Sequence, residues 1–235
     1  MHMNYPLDHD HTLVVPWISQ GHRAVWNNVL HLGRKTEWKD RSIVIYPEDD
    51  TNCIYYLYSG MIKVTAASSE GLQRTLWLQG PGSVIGEAAM FTGKPFLHFF
   101  TTIEKCVVYR FSKETVLKRL IPDHPSICEA LLTNLANKSY IMSSQVEEST
   151  FLCVRKRIGR FLYGLCLAQN TTKLLVTHAL IADLLGIHRV TVTNTIGLMK
   201  KNGLLENVSQ GVVVRDIRGL EAFINQADLL PAANG

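Results

Sequence analysis

Between residues 41 and 111 the chain is written as short apolar runs separated by turn residues. SIVIY, CIYYLYSG, MIKVTAA, QRTLWLQGPG, SVIGEAAM, HFFTTI and CVVYRFS are rich in Val, Ile, Tyr and Phe, the composition of strands. Gly60, Gly71, Gly80, Gly82, Gly86 and Gly93 punctuate them, as tight turns require. Strands this short and this evenly spaced predict a barrel, roll or sandwich. Upstream, HRAVWNNVLHLGRK (22–35) has a weak helical period that predicts one short helix.

At residue 112 the period becomes helical. SKETVLKRL opens with Ser112 as N-cap and has Glu114 and Thr115 in its first turn. PDHP (122–125) interrupts, and 126–151 then runs without Pro or Gly. Cys128, Leu131, Leu135, Lys138, Met142 and Gln145 fall at alternating spacings of three and four, a heptad seam that predicts a dimer interface with a twin helix. Lys138 suits a solvent-fed seam better than a dry core. A second face, Leu132, Ile141 and Val146, is left for the helix's own domain. The alternative is a single buried helix.

From 152 onward the pattern is helix, turn, helix. Thr177 caps the first helix, and Ala179, Leu180, Ile181, Leu184 and Leu185 supply its buried stripe. Gly186 makes the sharp turn and Ile187 plugs the gap between the helices. The second helix begins near His188, with Val192, Ile196 and Met199 facing inward. LLENVSQGVVVRD then reads as a hairpin, Ser209-Gln210-Gly211 forming its turn with Gly211 at positive φ. The last ten residues (226–235) read as a flexible tail.

Charge sharpens this division. Residues 1–150 carry 14 Lys/Arg against 15 Asp/Glu, whereas 151–235 carry 10 against 5. The basic second part predicts a polyanionic partner. No window is long and apolar enough for a membrane span, and the acidic start lacks the basic n-region of a secretory signal. The five cysteines form no CxxC, and their odd number argues against a disulfide framework. The expectation is a reduced, cytoplasmic protein without membrane contact.

The side chains left outside on the second helix suit a DNA major groove: His188, Arg189, Val190, Thr191, Thr193 and Asn194. Arg189 can grip guanine bidentately, Asn194 can pair with adenine, and Val190 can pack on a thymine methyl. Thr191, Thr193 and the helix N-terminus can hold phosphates, with Lys200 and Lys201 adding charge contacts. The hairpin would be a wing.

The order of roll, long helix and winged helix-turn-helix resembles the CRP/FNR regulators over about residues 26–220. YLYSGMIKV (56–64), GPGSVIGEAAMF (80–91) and IADLLGIHRVTVTN (181–194) carry the resemblance. It implies an α+β protein with an N-terminal antiparallel β-roll of the cyclic-nucleotide-binding type (1–125), a long dimerisation helix (126–151) and a C-terminal winged helix-turn-helix (152–225). It further implies a homodimer on palindromic double-stranded DNA, an effector held between roll and long helix, and RNA polymerase as partner if the protein activates.

The departures refine that expectation. Cyclic-nucleotide-binding members carry an Arg-Ser pair after the GE segment. An ungapped count from Gly86-Glu87 puts Leu97-His98 there, so the phosphate clamp is missing. No N-terminal cysteine cluster is available for an iron–sulfur centre, so neither cofactor nor metal is expected. His98 is expected to serve packing rather than metal binding. The cassette that remains is apolar and aromatic: Trp77, Phe91, Phe96, Leu97, Phe99 and Phe100 around His98.

The chain also resembles the halogenated-phenol-responsive regulators of dehalorespiration, whose effector-contacting lysine aligns with Lys138. The expected effector is a phenol or aromatic acid, met by Trp77, Gly86, Glu87, Phe91, Leu97, His98, Phe99, Lys138 and Met142. Val190 and Asn194 predict A/T-rich half-sites. An enzyme is not expected: a cupin-like metal site needs several histidines, and residues 41–111 hold only His98. The alternative is a constitutive DNA-binding protein, or one switched through Cys106, Cys153 or Cys166.

Overall fold

The computed structural model describes residues 17–19, 21, 23–208 and 211–226. Strand β1 (Ile18–Ser19), helix α1 (Arg23–Asn27) and a 3-10 turn at Leu30–Leu32 lead in. The roll follows as β2 (Arg34–Trp38), β3 (Ile43–Ile45), β4 (Cys53–Ser59), β5 (Ile62–Ala67), β6 (Gln73–Gln79), β7 (Val84–Ile85), β8 (Phe99–Thr102) and β9 (Cys106–Ser112). Helix α2 (Glu87–Thr92) is inserted after β7.

Two sheets form, ordered β1-β6-β5-β8-β3 and β2-β9-β4-β7. Pairing is antiparallel throughout both, except that β1 runs parallel to β6. Period-two alternation on β4 explains both of its faces. Leu57 points between the sheets to meet Ile62, Val64, Trp77 and Val108. Ile54 and Tyr56 point the other way, onto Trp26, Phe111, Ile127 and Leu131.

Two local expectations need correction. SVIGEAAM is strand only at Val84–Ile85; Gly86 turns at φ 92 and the Ala-Ala-Met stretch continues as α2. Alanine and methionine favour helix once the glycine has reversed the chain. Strand β2 was not anticipated, because its polar sequence RKTEW carries no apolar run; its pairing with β9 makes it a strand.

Ser112 accepts a hydrogen bond from the Thr115 amide at 3.1 Å, the expected N-cap. It starts α3 (Lys113–Thr115), which runs through a π turn (Val116–Leu120) into α4 (Ile121–Asp123). Helix α5 (Pro125–Phe151) begins with Pro125 in its first turn, where no amide is needed.

The face of α5 turned to the roll is offset from the expected seam. Ile127, Leu131, Asn134, Ile141 and Glu148 are buried, with Lys138 and Gln145 bonded to the roll along the same stripe. Leu131, Lys138 and Gln145 therefore face their own domain rather than a free surface. The roll offers a carboxylate and carbonyls there, which is why polar residues occupy the stripe. Of the remaining seam positions, Cys128 and Leu135 are half-buried and Met142 is exposed. Of the second face, Ile141 is core as expected, whereas Leu132 and Val146 are exposed instead of turned to the roll. The exposed apolar side chains of α5 are Leu132, Tyr140, Met142, Val146 and Phe151.

The C-terminal part comprises α6 (Val154–Gln169), β10 (Lys173–Leu174), α7 (His178–Leu185), α8 (Arg189–Lys201), β11 (Leu205–Val208), β12 (Gly211–Val214) and α9 (Ile217–Gln226). Its sheet has the order β10-β12-β11. Helix α9 was not assigned from sequence, although Leu220, Phe223 and Ile224 sit at helical spacing and are buried. Gly159 lets α9 come close to α6: a Cβ there would lie 2.7 Å from Ile224.

Gly211 is also corrected. It lies in β12 and is not among the positive-φ glycines. Its small size is needed because the Leu174 carbonyl would sit 2.0 Å from a Cβ. Ser209, Gln210 and the tail 227–235 lie outside the described residues.

The roll and the C-terminal part share apolar packing. Trp17, Ile18 and Leu78 belong to the same buried cluster as Phe161, Ile181 and Leu185. Trp17 meets Phe161 edge-on at 5.5 Å.

Candidate DNA-reading face and effector site

Helices α7 and α8 are set by the residues expected to set them. The Thr177 hydroxyl accepts from the Leu180 amide at 3.1 Å, and Gly186 turns left-handed at φ 62. His188 caps α8 in extended conformation. Val192, Ile196 and Met199 are at most 1% exposed, joined by Thr195. On α7, Ile181, Leu184 and Leu185 are buried, but Ala179 is exposed and Leu180 only half-buried.

That packing leaves His188, Arg189, Val190, Thr193, Asn194, Lys200 and Lys201 exposed and Thr191 half-buried. Val190 is 69% exposed, unusual for a β-branched side chain without a partner surface. Among the described residues Arg189, Lys200 and Lys201 form no ion pair with a carboxylate. Thr193 is less free than expected. Its hydroxyl donates to the Arg189 carbonyl at 3.0 Å and stands 3.0 Å from Nδ1 of His178. His178 was missed from sequence. Burial first, then the charges of Arg189 and Lys200, hold its pKa below the ordinary histidine value.

In the roll, Gly86 and Glu87 meet α5. A Cβ on Gly86 would lie 3.0 Å from the Cys53 carbonyl and from the Phe96 ring, so only glycine fits. Glu87 is 1% exposed. Its Oε1 accepts from Lys138 Nζ at 2.6 Å and from Asn134 Nδ2 at 3.1 Å. Lys138 donates also to the Val84 carbonyl at 2.7 Å, and Asn134 Oδ1 accepts the Val84 amide at 3.2 Å. Glu87 Oε2 and the Trp77 indole N–H are buried without a hydrogen-bond partner.

Two family models match the chain: a cyclic nucleotide-binding domain over residues 35–121 and a Crp-like helix-turn-helix domain over 156–223. The cAMP-activated global transcriptional regulator CRP of Haemophilus influenzae is 26% identical over 185 residues, 76% of this chain and 82% of that protein. The chain belongs to the CRP/FNR family. Among solved structures, the c-di-GMP-responsive regulator CLP of Xanthomonas campestris matches with TM-score 0.71 at 22% identity, covering 83% of this chain and all of the other. OCPA-complexed CprK matches with TM-score 0.71 at 21% identity, over 89% and 97% of the two chains. CRP-family proteins are effector-responsive, DNA-binding transcription regulators.

Within this CRP/FNR frame the expected effector residues do not all converge. Gly86, Glu87 and Lys138 come together. Trp77 and His98 pair edge-on at 6.0 Å, and burial holds His98 below the ordinary histidine pKa, so its imidazole is neutral. Phe99 instead packs on Tyr46. Leu97, Phe91 and Met142 are 74%, 45% and 53% exposed, so they line no enclosed pocket. Alternation along the strand explains the split: Phe100 turns into the core and Phe99 away from it. Asn134 and Val84 are members of the Glu87–Lys138 cluster that sequence reasoning missed.

A cavity of about 220 Å³ on the roll is lined by Ile45, Asp49, Asp50, Cys53, Tyr55, Phe96 and Arg110, of which Cys53 and Phe96 also abut Gly86. Among the described residues no helix is long and apolar enough to cross a membrane, and no group of three or more His, Cys, Asp or Glu could hold a metal ion.

Proposed function

We propose that this protein binds palindromic, A/T-rich DNA sites as a homodimer and is switched by a small anionic aromatic, a phenol or aromatic acid, rather than by a cyclic nucleotide. The observation that carries the effector reading is the buried Lys138 ammonium on Glu87, together with the Trp77 indole N–H, a donor in the roll core without a partner. Buried polar atoms without partners mark where a ligand's polar groups can go. An anion would compete with Glu87 for the Lys138 ammonium, with Trp77 and neutral His98 as an aromatic wall. The fold likeness to CprK supports the same reading.

Dimerisation would use the exposed stripe of α5, from Leu132 to Val146, against a twin helix. Two copies of α8 could then face DNA about 34 Å apart, one helical turn. RNA polymerase is the further partner if the protein activates. The thiol-switched alternative has less support. Burial pushes the Cys106 and Cys166 thiols up to about 11, which keeps them protonated at neutral pH, and only Cys153 of the three suspects is exposed.

The test is a thermal-shift panel of substituted phenols, benzoates and cyclic nucleotides, paired with duplex selection from a random pool. We expect a raised melting temperature with an aromatic anion, none with cyclic AMP, and selected sites that are inverted repeats. Stabilisation by cyclic AMP alone, or selected sites without a repeat, would refute the corresponding half.

A further inference from the structure

Strand β6 changes its facing at its middle. Val64 pairs with Trp77 and Thr65 with Thr75, so Leu76 is an extra residue, a β-bulge. Three consecutive residues are thereby sent to three parts of the molecule. Trp77 turns into the roll beside His98. The Leu76 carbonyl accepts from Gln145 Nε2 of α5 at 2.5 Å. Thr75, fully buried, turns outward to α7: its amide donates to Asp183 Oδ1 at 3.2 Å and its hydroxyl to Asp183 Oδ2 at 2.5 Å.

The surroundings reinforce this contact. Lys63 of β5 brings its ammonium to 3.5 Å from the same Oδ2. With a third of the Asp183 side chain exposed, solvent screens that pair, and the two Thr75 bonds matter more. The Arg74 guanidinium lies against Gly186 at the turn into α8, and Arg157 of α6 donates to the Leu185 carbonyl.

We propose that Asp183 is a clamp holding the DNA-reading module on the roll of its own chain, and that the Thr75-Leu76-Trp77 bulge relays effector occupancy to it. The idea rests on the effector-gated reading above. In the arrangement seen, Glu87 and the Val84 carbonyl take up the Lys138 ammonium, so this docking goes with the arrangement an anionic effector disfavours. A ligand pressing on Trp77 shifts the bulge and draws Thr75 off Asp183. Helices α7 and α8 pack in one buried cluster that Trp17, Ile18 and Leu78 of the roll also enter, so they move as a unit once those contacts give way together with the clamp. Asp183 is a positioning residue: it lies on α7, off the exposed face of α8.

The Thr75 amide reports the clamp directly, because its acceptor is Asp183 itself. In Asp183→Ala, amide exchange at Thr75 should quicken at least tenfold while exchange at Val64, on the neighbouring strand, stays slow. The same variant should bind a duplex selected by the wild-type chain at least threefold more tightly. Thr75→Val, which removes only the hydroxyl bond, should shift affinity the same way by less, and the double variant should add nothing to Asp183→Ala. If Asp183→Ala does not fold, tighter binding by Thr75→Val carries the test. Unchanged Thr75 exchange overturns the clamp. Faster exchange with unchanged or weaker DNA binding overturns the relay. A wild-type chain that selects no duplex overturns the DNA reading itself, and with it the clamp's role, while the exchange arm still reports whether the contact exists.

Discussion

On α8, Arg189, Asn194, Lys200 and Lys201 project into solvent, and the three cations among them have no carboxylate partner among the described residues. Around α2, Glu87, Asn134, Lys138 and the Val84 backbone bond to one another below the surface, with Glu87 Oε2 left unmet. On the proposed function the two regions suit ligands of different size. A duplex is a large polyanion that approaches from outside, and exposed cations lose little by staying hydrated until it comes. A small effector must be enclosed, so the groups that meet it are buried and need interim partners. The free cations of α8 and the self-paired cluster at α2 are two answers to one electrostatic problem.

The largest expected effect comes from breaking the buried side. Lys138→Leu strips Glu87 of its cation and leaves a carboxylate that is 1% exposed with only Asn134 on one oxygen. Removing one partner of a buried pair destabilises by about 3–5 kcal/mol. Urea unfolding should show this as a lower midpoint, and adding Glu87→Gln should recover most of it. A midpoint equal to wild type would mean that the pair adds no net stability and that the contrast with α8 is only geometric.

On the exposed side the expected effect is smaller and of another kind. Arg189→Ala should leave folding unchanged but weaken binding to a selected duplex by roughly 1–3 kcal/mol and relax one base position. Gel shifts across single-base variants of the site read both. A uniform loss over all sequences would reassign Arg189 from a base to a phosphate.

The same contrast explains what the sequence could and could not show. The outward face of α8 was legible because a single local period decides it: once Val192, Ile196 and Met199 face inward, Arg189 and Asn194 face outward. The cassette was not, because its partners lie far apart in the chain. Lys138 and Glu87 are 51 residues apart. Periodicity alone gave Lys138 to a twin helix, and the aligned lysine suggested an external anion, whereas a carboxylate of the roll already occupies it. The offset of the α5 seam has the same origin, since the roll, not α5, decides which polar stripe is buried. Gly211 shows the limit for turns: its smallness answers the Leu174 carbonyl of a third strand, invisible to any reading of the hairpin itself.

The smallest effect sharpens the contrast at its border, where His178 is neither free nor enclosed. Its Nδ1 lies 3.0 Å from the Thr193 hydroxyl, and burial, Arg189 and Lys200 together favour the neutral ring. In the free protein it is therefore uncharged at neutral pH. It stands at the N-terminus of α7, where a DNA phosphate would find amide donors and would favour the imidazolium. The pKa in the complex then lies above that of the free chain. The affinity gain is complete below the free-chain pKa and is lost as pH rises through the complexed one. Duplex binding should thus tighten as pH falls, by at most about tenfold per unit for each histidine that takes up a proton. His178→Gln should flatten that part of the profile and leave the Arg189→Ala loss intact. A profile unchanged by His178→Gln would mean that the ring stays neutral against DNA and serves only to fix Thr193, which would place it with the self-satisfied groups of the roll rather than with the waiting cations of α8.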